Sequence, residues 1–400
     1  MCRLFQLCKT ELKLAGTDTD SENSFKDRRI ELAHGAGGKA SRRLVEGLIL
    51  PKLSNPILNR LSDSAIIDFG GRPLAFTTDS FVVKPLEFPG GSIGSLAVNG
   101  TVNDLAVSGS RPVALLATLI LEAGTSTDVV ARALDAMAEA SAKAGVPVVG
   151  GDTKVVEHGK ADGVYITTSG IGEPVSGVFL EGKSVCPGDK IILSGPVGDH
   201  GITVLLARGE LDIEADLQSD SRSVWPFVEA LLNTCGSDVR WMRDPTRGGV
   251  ATSLNELAED SGRDIVIEDR LIPVRDTVRG ACEVLGLDVL HVANEGQFLA
   301  VVAAEAADKA LAAIRQISGG EEAVIIGAVG EAGAEARSSG GSSASKESTE
   351  SKQSEGSSAS RQYTESRESE GSRGRLTAIT PYGSSRIVDI LVGDQLPRIC

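Results

Sequence analysis

Several common sequence signals are missing from this chain of 400 residues. No run reaches the roughly 18 consecutive apolar residues of a membrane-spanning helix. Near the N-terminus, Lys9, Glu11 and Lys13 interrupt the apolar stretch that a secretory signal peptide would need. Basic residues are also in deficit, because the formal net charge is −15. The sequence therefore argues against a membrane protein and against a protein that binds nucleic-acid phosphates.

Cysteine, histidine and aromatic residues are few and scattered. The cysteines form no CxxC pair, and the four histidines show no spacing typical of zinc ligands. This pattern predicts free thiols in a reducing compartment and a cytoplasmic location. Aromatic residues make up only 4% of the chain while apolar residues make up 41%, which predicts aliphatic cores. The cysteines are Cys2, Cys8, Cys186, Cys235, Cys282 and Cys400.

Composition and hydrophobic patterning divide the chain into five segments. Alternating extended and helical patterns predict two α/β domains. The stretch 338–373, between the second domain and the C-terminal tail, lacks Val, Ile, Leu, Phe and Met, so it cannot bury enough surface to order itself. The predicted segments are a disordered leader (1–29), an α/β domain (30–175), a second α/β domain (185–335), a disordered Ser/Glu/Gly-rich insertion (336–374) and a C-terminal tail (375–400).

Hydrophobic periodicity and the positions of capping and turn residues predict the individual helices and strands. In the first domain, a helix is predicted at 128–144, capped by Ser126 or Thr127 and stopped by Gly145. In the second domain, helices are predicted at 199–208, 225–235, 248–261, 278–285 and 305–316. Strands are predicted at 74–83, 113–122, 146–149, 164–169, 190–194, 264–268, 297–303 and 323–329, with two short strands in the tail that we expect to dock.

The chain ends on a thiol, Cys400. A terminal cysteine sits at a mobile end, which suits a swinging covalent carrier better than a structural disulfide. The adjacent α-carboxylate disfavours the reactive thiolate, and Arg398 could offset that charge. The alternative is that a cysteine ends the chain by chance.

A glycine cluster opens the first domain. His34, Gly35, Gly37 and Gly38 precede a stretch at 42–50 that is predicted to be helical. Backbone N–H groups of such a loop can converge on an anion. A flexible connector is the alternative interpretation.

Acidic residues recur beside small or hydroxyl residues at the ends of predicted strands: Asp63, Asp79, Asp104 and Asp152. Oxygen ligands of this kind suit Mg²⁺ together with substrate phosphates. Ordinary turn chemistry is the alternative, since Asp favours turns and caps.

Three further motifs bear functional groups. Gly151, Asp152, Thr153 and Lys154 combine close backbone approach, a metal ligand and an amine that can reach a phosphate or carry a proton. In the second domain, Asp244 and Arg247 precede glycines and a predicted helix, an arrangement that favours an anion. Glu295 stands just before an apolar strand and is a plausible general base.

Taken together, these motifs resemble the HypE family of hydrogenase maturation proteins. The matching stretches are Thr77–Phe81, Asn99–Ala106, Gly150–Val156, Asp244–Gly249 and the Pro-Arg-Ile-Cys end. The C-terminal motif is highly specific. The internal motifs are shared with a wider superfamily that includes aminoimidazole ribonucleotide synthetase, selenophosphate synthetase and thiamine monophosphate kinase. The leader and the insertion depart from the family pattern.

The resemblance implies a mixed α/β fold of two domains, like that of aminoimidazole ribonucleotide synthetase, with a flexible tail ending in Cys. It implies a homodimer that binds ATP and Mg²⁺. It further implies that a carbamoyltransferase, HypF, loads the terminal Cys, and that ATP-dependent dehydration turns the carbamoyl group into a thiocyanate. The cyanide would then pass to iron on a HypC–HypD complex, for a [NiFe] hydrogenase.

The resemblance also assigns roles to residues. Cys400 is the expected carrier, with Lys154 and Glu295 handling protons. The expected ATP-binding residues are His34, Gly35, Gly37, Gly38, Asp79, Asn99, Asp104, Gly151, Asp152, Thr153 and Arg247. The expected metal ligands are Asp63, Asp79, Asp104, Asp152 and Asp244.

Two alternatives stay open at this point. A selenophosphate synthetase-like enzyme would typically carry a reactive Cys in the glycine loop, and 34–39 contains none. A non-catalytic nucleotide-binding scaffold would not need the full acidic set. The insertion also lengthens the tether of Cys400, but a flexible chain of that length spans roughly 30–35 Å, about a domain diameter, so the thiol could still reach the site.

Overall fold

The computed structural model describes residues 25–35, 37–209, 215–331, 374–391, 393, 396 and 398–400. The predicted leader (1–29) lies mostly outside the described residues, and the predicted insertion (336–374) does so except for Gly374. In the described part, two β-sheets are covered by helices, which is the mixed α/β architecture that the sequence predicts. The domain boundaries themselves stay predictions.

The first sheet is built from residues 65–174. Its strands are β1 (Ala65–Phe69), β2 (Arg72–Phe81), β5 (Ser110–Glu122), β6 (Val148–Val156) and β7 (Val164–Pro174), and a separate small ladder joins β3 (Glu87–Phe88) to β4 (Gly91–Ser92). The order across the sheet is β1-β2-β7-β5-β6. Only β5 and β6 run parallel among these neighbours. Strand β6 therefore lies at one edge, and β1 at the other.

Two helices cover one face of this sheet. Helix α4 (Thr127–Ala144) agrees with the prediction, with Ser126 accepting from the Asp128 N–H at its start and Gly145 at φ 68° ending it. Helix α3 (Ile93–Val107) packs between α4 and strands β2, β5 and β7. Helix α3 is not predicted by the sequence pattern. Nearly all of its residues are buried, so it carries no polar stripe and no 3.6-residue alternation from which a helix could be recognised.

The opposite face of the first sheet is open in the described chain. Its side chains alternate with those facing α3, as strand geometry requires. Phe76 and Leu116 on this face are 40% and 49% exposed. Such apolar exposure on a broad sheet face is unusual for a surface that meets only water.

The second sheet combines strands of the second domain with the tail. Its strands are β8 (Lys190–Leu193), β9 (Val239–Arg243), β10 (Ile265–Glu268), β11 (Leu299–Val302), β12 (Val324–Val329), β13 (Leu376–Ile379) and β14 (Ser385–Ile387). The order is β14-β13-β10-β12-β8-β11-β9. Strand β13 pairs in parallel with β10, and β14 then pairs with β13. The expected docking of the tail strands is thus seen directly.

The remaining helices follow the predicted pattern closely. They are α1 (Gly38–Leu44), followed by a π-helical turn (Val45–Ile49) and α2 (Leu50–Leu53), then α5 (Asp199–Ala207), α6 (Trp225–Cys235), α7 (Gly249–Ser261), α8 (Asp276–Leu285) and α9 (Ala307–Arg315). Helices α6 and α9 pack together over one face of the second sheet, and α7 packs over the other. None of the helices in the described residues is long and apolar enough to cross a membrane.

Candidate active site

Three carboxylates from distant parts of the chain meet beside the first sheet. Asp63 precedes β1, Asp104 lies in the last turn of α3, and Asp244 follows β9. One oxygen atom from each lies within 4.8 Å of the others. We call these three residues the acidic group. Their hard oxygen ligands and close spacing fit a divalent cation such as Mg²⁺.

The charges of the acidic group are poorly compensated. Burial raises the pKa of Asp244 to about 7, with the charge of Asp63 adding to the effect. Burial also raises the pKa of Asp104 well above its usual range, and the charges of Asp244 and Asp63 raise it further. Arg243 places Nη1 2.5 Å from Asp63 Oδ1. One guanidinium beside three carboxylates leaves excess negative charge, which a bound cation would neutralise.

Asp79 borders the acidic group. It lies within β2, and Arg247 Nη2 is 3.5 Å from its Oδ1. Burial raises the pKa of Asp79, and Arg247 lowers it. Its charge in turn raises the pKa values of Asp104, Asp244 and Glu295. Asp79 therefore extends the acidic group toward the tail.

The C-terminal cysteine is docked beside Arg247. The Arg247 Nε lies 3.4 Å from Cys400 Sγ. The tail pairs with the chain just beyond β2, where Val82 N–H donates to the Cys400 carbonyl at 3.1 Å and Lys84 N–H to the Arg398 carbonyl at 3.2 Å. This ladder holds the thiol in place through main-chain contacts.

Apolar anchors and one strained residue complete the docking. Leu396 and Ile399 are each only 4% exposed and join a buried cluster that contains side chains of both α/β units, such as Val98 and Val292. Burying a side chain of this size contributes about 1.5–3 kcal/mol. Arg398 adopts φ 61°, a left-handed conformation that costs a non-glycine residue about 1 kcal/mol or more. Its guanidinium forms an ion pair with Asp162, which compensates part of that cost.

Glu295 shares this pocket with the thiol. Its side chain is buried, and burial raises its pKa well above the usual range, followed by the charges of Asp244 and Asp79. Burial also raises the pKa of Cys400 to about 12, with Arg247 lowering it and Glu295 raising it. The free thiol is therefore protonated and unreactive when docked at neutral pH. The docked state suits chemistry on a group already attached to the sulfur.

The glycine loop contacts the same region but is occupied by protein contacts. The Gly35 carbonyl accepts from Arg247 Nη1 at 3.1 Å, and the Gly37 N–H donates to Ser41 Oγ at 2.8 Å. A Cβ on Gly38 would lie 2.5 Å from the Leu391 carbonyl of the tail, so only glycine fits there. The loop thus braces Arg247 and the tail in this arrangement.

His34 lies beside the loop and is engaged locally. Its Nδ1 accepts from the Glu31 N–H at 2.9 Å, so Nε2 carries the proton and donates to Asp27 Oδ2 at 2.9 Å. The ring is buried against Phe25. These contacts give His34 a role in the loop's shape, and its expected contact with ATP stays a prediction.

The structure does not bring the Gly151–Lys154 motif to the acidic group within one chain. Asp79, Thr168, Ala117 and Gly151 are aligned across the sheet, so β6 lies three strand spacings, about 14 Å, from β2. Asp152 and Lys154 are exposed, and Lys154 Nζ lies 2.8 Å from Asp152 Oδ2. Their register places both side chains on the open face, opposite to Asp79.

The expected positions of the acidic residues at strand ends need correction. Asp104 lies in helix α3, and Asp79 and Asp152 lie within strands β2 and β6. Asp63 precedes a strand. The prediction failed at Asp104 because α3 was not recognised as a helix, and at Asp152 because β6 continues past the predicted strand at 146–149. Asp79 lies inside β2, as it already lay inside the strand predicted at 74–83.

Sequence reasoning also missed a polar segment between α5 and α6. Ser219 Oγ contacts His200 Nδ1 at 2.8 Å, and Asp220 Oδ1 accepts from the Glu295 N–H at 3.0 Å. Asn99 Nδ2, expected at the ATP site, donates to Ser221 Oγ at 3.1 Å. A usable signal was present, since an Asp flanked by serines at 219–221 repeats the pattern at 62–64.

Comparisons with known proteins agree on one family. A family model described as "AIR synthase related protein, N-terminal domain" matches residues 61–173, and its C-terminal counterpart matches residues 186–338. The carbamoyl dehydratase HypE of Azotobacter vinelandii is 44% identical over 381 residues, which cover 95% of this chain and all of that protein. The carbamoyl dehydratase HypE of Escherichia coli K12 is 40% identical over 76% of this chain and 91% of that protein.

Solved structures lead to the same family. HypE in a HypE–HypF complex superposes with a TM-score of 0.73 at 38% identity, covering 87% of this chain and 99% of that one. HypE in complex with ATP superposes with a TM-score of 0.68 at 40% identity, covering 92% of this chain and 99% of that one. A thiamine monophosphate kinase at 22% identity shares the fold alone, with a TM-score of 0.54.

Proposed function

Because the chain belongs to the HypE family of carbamoyl dehydratases, among the proteins related to AIR synthase, we propose that it dehydrates a carbamoyl group on Cys400 with ATP. The product is a thiocyanate on the sulfur, which supplies the cyanide ligand of a [NiFe] hydrogenase. The observation that carries the proposal is the docked thiol, 3.4 Å from Arg247 Nε and beside Glu295 and Asp79. A selenophosphate synthetase-like activity gives this thiol no role.

Dehydration needs the carbamoyl oxygen to leave, and an amide oxygen leaves poorly. Transfer of the ATP γ-phosphoryl group to that oxygen makes phosphate the leaving group, and loss of two N–H protons forms the C≡N bond. Arg247 is placed to stabilise the negative charge near the sulfur. Glu295 is the base for the amide protons, since its raised pKa makes its carboxylate more basic once ionised.

The acidic group is the proposed cation site. Asp63, Asp104 and Asp244 would hold Mg²⁺, with Asp79 at the border. The bound ion would neutralise phosphate charge during phosphoryl transfer. The fit rests on the convergence of three oxygens and on the raised pKa values of Asp104 and Asp244, which signal uncompensated charge. Asn99 and the glycine loop remain the proposed contacts to the nucleotide.

Lys154 and its neighbours require a second chain in this proposal. The open face of the first sheet carries Phe76 and Leu116 together with Asp152 and Lys154. We infer a homodimer in which these open faces meet, so that Gly151–Lys154 of one chain serves the site of the other. The apolar exposure of that face supports this arrangement.

The proposed partners follow the family. A HypF-type carbamoyltransferase would load Cys400 when the tail is released, since the docked thiol is half-buried beside charged groups that hold it protonated. A HypC–HypD-type complex would accept the cyanide. A cytoplasmic location belongs to the same proposal, because the carrier thiol must stay reduced.

The deciding experiment is intact mass spectrometry of the full chain with a HypF carbamoyltransferase, carbamoyl phosphate and ATP. We expect an adduct of one carbamoyl group that loses the mass of one water when Mg²⁺ is supplied. Cys400→Ala should carry no adduct, whereas Cys186→Ala, which removes an exposed thiol, should behave as the parent. ATP consumption with an unmodified Cys400 would contradict the proposal and favour a small-molecule kinase of the same fold.

A further inference from the structure

The polar segment Ser219–Ser221 lies where the docked tail, helix α3 and Glu295 meet. Ser219 N–H donates to the Pro89 carbonyl at 2.9 Å, which ties the segment to the first domain. Ser221 accepts from Asn99 of α3, and Asp220 accepts from the Glu295 main chain. We call these three residues the bridging segment. No step of the proposed dehydration uses them.

His200 joins the bridging segment to the tail. Its Nε2 lies 2.7 Å from the Ile399 carbonyl oxygen, which can only accept, so Nε2 carries the proton. Nδ1 must then accept from the Ser219 hydroxyl at 2.8 Å. The same Ser219 oxygen accepts from the Ser221 N–H at 3.1 Å. Each hydrogen in this chain of contacts has one acceptor, so the tautomer of His200 is fixed by the tail.

Neutrality of His200 is consistent with its surroundings. The ring is fully buried, and Phe88 packs edge-on against it at 5.6 Å between ring centroids. Burial lowers the pKa of His200 to about 4, so the imidazole is uncharged at neutral pH. A buried neutral donor facing a main-chain carbonyl one residue before Cys400 fixes the position of that residue.

Asp220 orders Glu295 through the main chain. Its Oδ1 accepts from the Glu295 N–H, while Oδ2 is buried with no hydrogen-bond partner in the described part of the chain. The packing is close, because a Cβ on Gly296 would lie 1.8 Å from the Asp220 carbonyl oxygen. A buried carboxylate oxygen without a partner is costly. The cost accompanies the hydrogen bond by which Asp220 fixes the Glu295 main chain.

We propose that His200 and the bridging segment form a positioning device that sets the docked position of Cys400 and the position of Glu295 relative to each other. His200 holds the tail through Ile399, and Asp220 holds Glu295, with Ser219 joining the two. Neither residue touches the reacting atoms. The inference rests on the proposed function for its Glu295 half, while its tail half concerns docking alone.

The tail half is tested by alkylation of Cys400 with iodoacetamide in the full chain, followed by mass spectrometry of the C-terminal peptide. His200→Leu should raise the alkylation rate about tenfold, as expected when one buried hydrogen bond is lost. His200→Gln retains a donor and should restore slow alkylation. His158→Leu, at an exposed histidine, is the matched control and should match the parent. Equal rates for the Leu and Gln variants would overturn this half.

The Glu295 half is tested by single-turnover dehydration of the carbamoylated chain. Asp220→Ala should slow the step about tenfold or more with the KM for ATP unchanged, because a misplaced base affects the reaction and not nucleotide binding. Asp220→Asn keeps the acceptor oxygen and should recover most of the rate. Asp216→Ala, an exposed acid in the same loop, is the control. Thermal unfolding of each variant checks that the fold is retained.

The outcomes separate the inference from the function on which it rests. If the parent chain fails to dehydrate its carbamoyl group, the proposed function and the Glu295 half both fail, while alkylation still decides the tail half. If the parent is active and Asp220→Ala is as fast, the positioning role of Asp220 is wrong and the proposed function stands.

Discussion

Asp244 and Asp152 carry similar local sequences and reach opposite environments. Each is an acid beside glycines or small residues and a basic side chain. Asp244 is buried among Asp63 and Asp104, and burial raises its pKa to about 7. Asp152 is exposed on edge strand β6, and the hydrogen bond from Lys154 lowers its pKa. The pKa of an acidic residue is raised only where separate secondary-structure elements bury it beside other carboxylates.

One chain assembles most of the proposed site residues and leaves the Gly151–Lys154 motif exposed. The acidic group, Arg247, Glu295 and the docked thiol are assembled by one chain. The Gly151–Lys154 motif is left on an open sheet face, about 14 Å from Asp79 by strand spacing. If both motifs serve one reaction, a second chain must supply the latter.

The largest expected effect is loss of the acidic group. Asp104→Ala should slow Mg-ATP-dependent dehydration about 100-fold or more, the scale typical of removing a charge-stabilising group from an active site. Single-turnover mass spectrometry measures the rate. Asp68→Ala, on exposed β1, should leave it unchanged. If Asp104→Ala and Asp68→Ala react at equal rates, the acidic group has no special role in the reaction.

The second prediction concerns the open motif and uses mixed dimers. Lys154→Ala and Cys400→Ala chains should each be inactive alone. When mixed and allowed to exchange, they should recover about a quarter of the parent activity, since half the dimers would hold one complete site of two. Recovery would place Lys154 in the site of the partner. Native mass spectrometry verifies that the chains exchange. If activity is not recovered after exchange, Lys154 does not act in the site of the partner chain.

The third prediction concerns stability and pH. The folded-state pKa of Asp244 is raised to about 7 from an unfolded value of 3.8, so its contribution to stability is fully present below the unfolded pKa and is lost as pH rises toward 7. In EDTA, the free energy of unfolding should fall by on the order of 2 kcal/mol between about pH 5 and pH 7. Urea titrations measure the fall.

Two matched conditions sharpen this prediction. Asp244→Asn should remove the part of the pH dependence that Asp244 contributes, while the raised pKa values of Asp104 and Glu295 leave a remainder. Saturating Mg²⁺ should reduce the pH dependence in the parent chain. Asp152→Asn should leave it intact, because the pKa of Asp152 is lowered and this residue is already ionised throughout that window. If Asp244→Asn leaves the pH dependence of the free energy of unfolding unchanged, other groups cause that dependence.

The smallest expected effect is on stability at the open motif. Asp152→Ala breaks an exposed ion pair with Lys154, and such pairs contribute little. At dilutions where the chain is monomeric, its melting temperature should shift by no more than about one degree. A larger drop measured by calorimetry at higher protein concentration would mean that Asp152 is buried in the protein's assembled form, which would itself support the proposed dimer.

Local pattern alone predicted much of the fold. Helices α4 to α9 and strands β10 to β12 agree with their predicted bounds within a few residues. The reason is that amphipathic periodicity, N-caps such as Ser126 and C-terminal glycines such as Gly145 depend only on residues close together in the sequence. The same local information predicted acids for a cation site, a carrier thiol and a possible base. It failed at α3, whose burial on all sides removes the polar stripe that marks a helix.

What the sequence determined by itself was therefore the inventory: two α/β units, a polar insertion, a terminal thiol and a set of acids. The tertiary structure decided which of them meet. Asp63, Asp104 and Asp244 converge while Asp152 does not. His200 reaches the tail from α5, and Asp220 reaches Glu295 from the bridging segment. The physical reason is that side-chain identity is local, whereas burial and charge coupling depend on contacts between residues far apart in the chain.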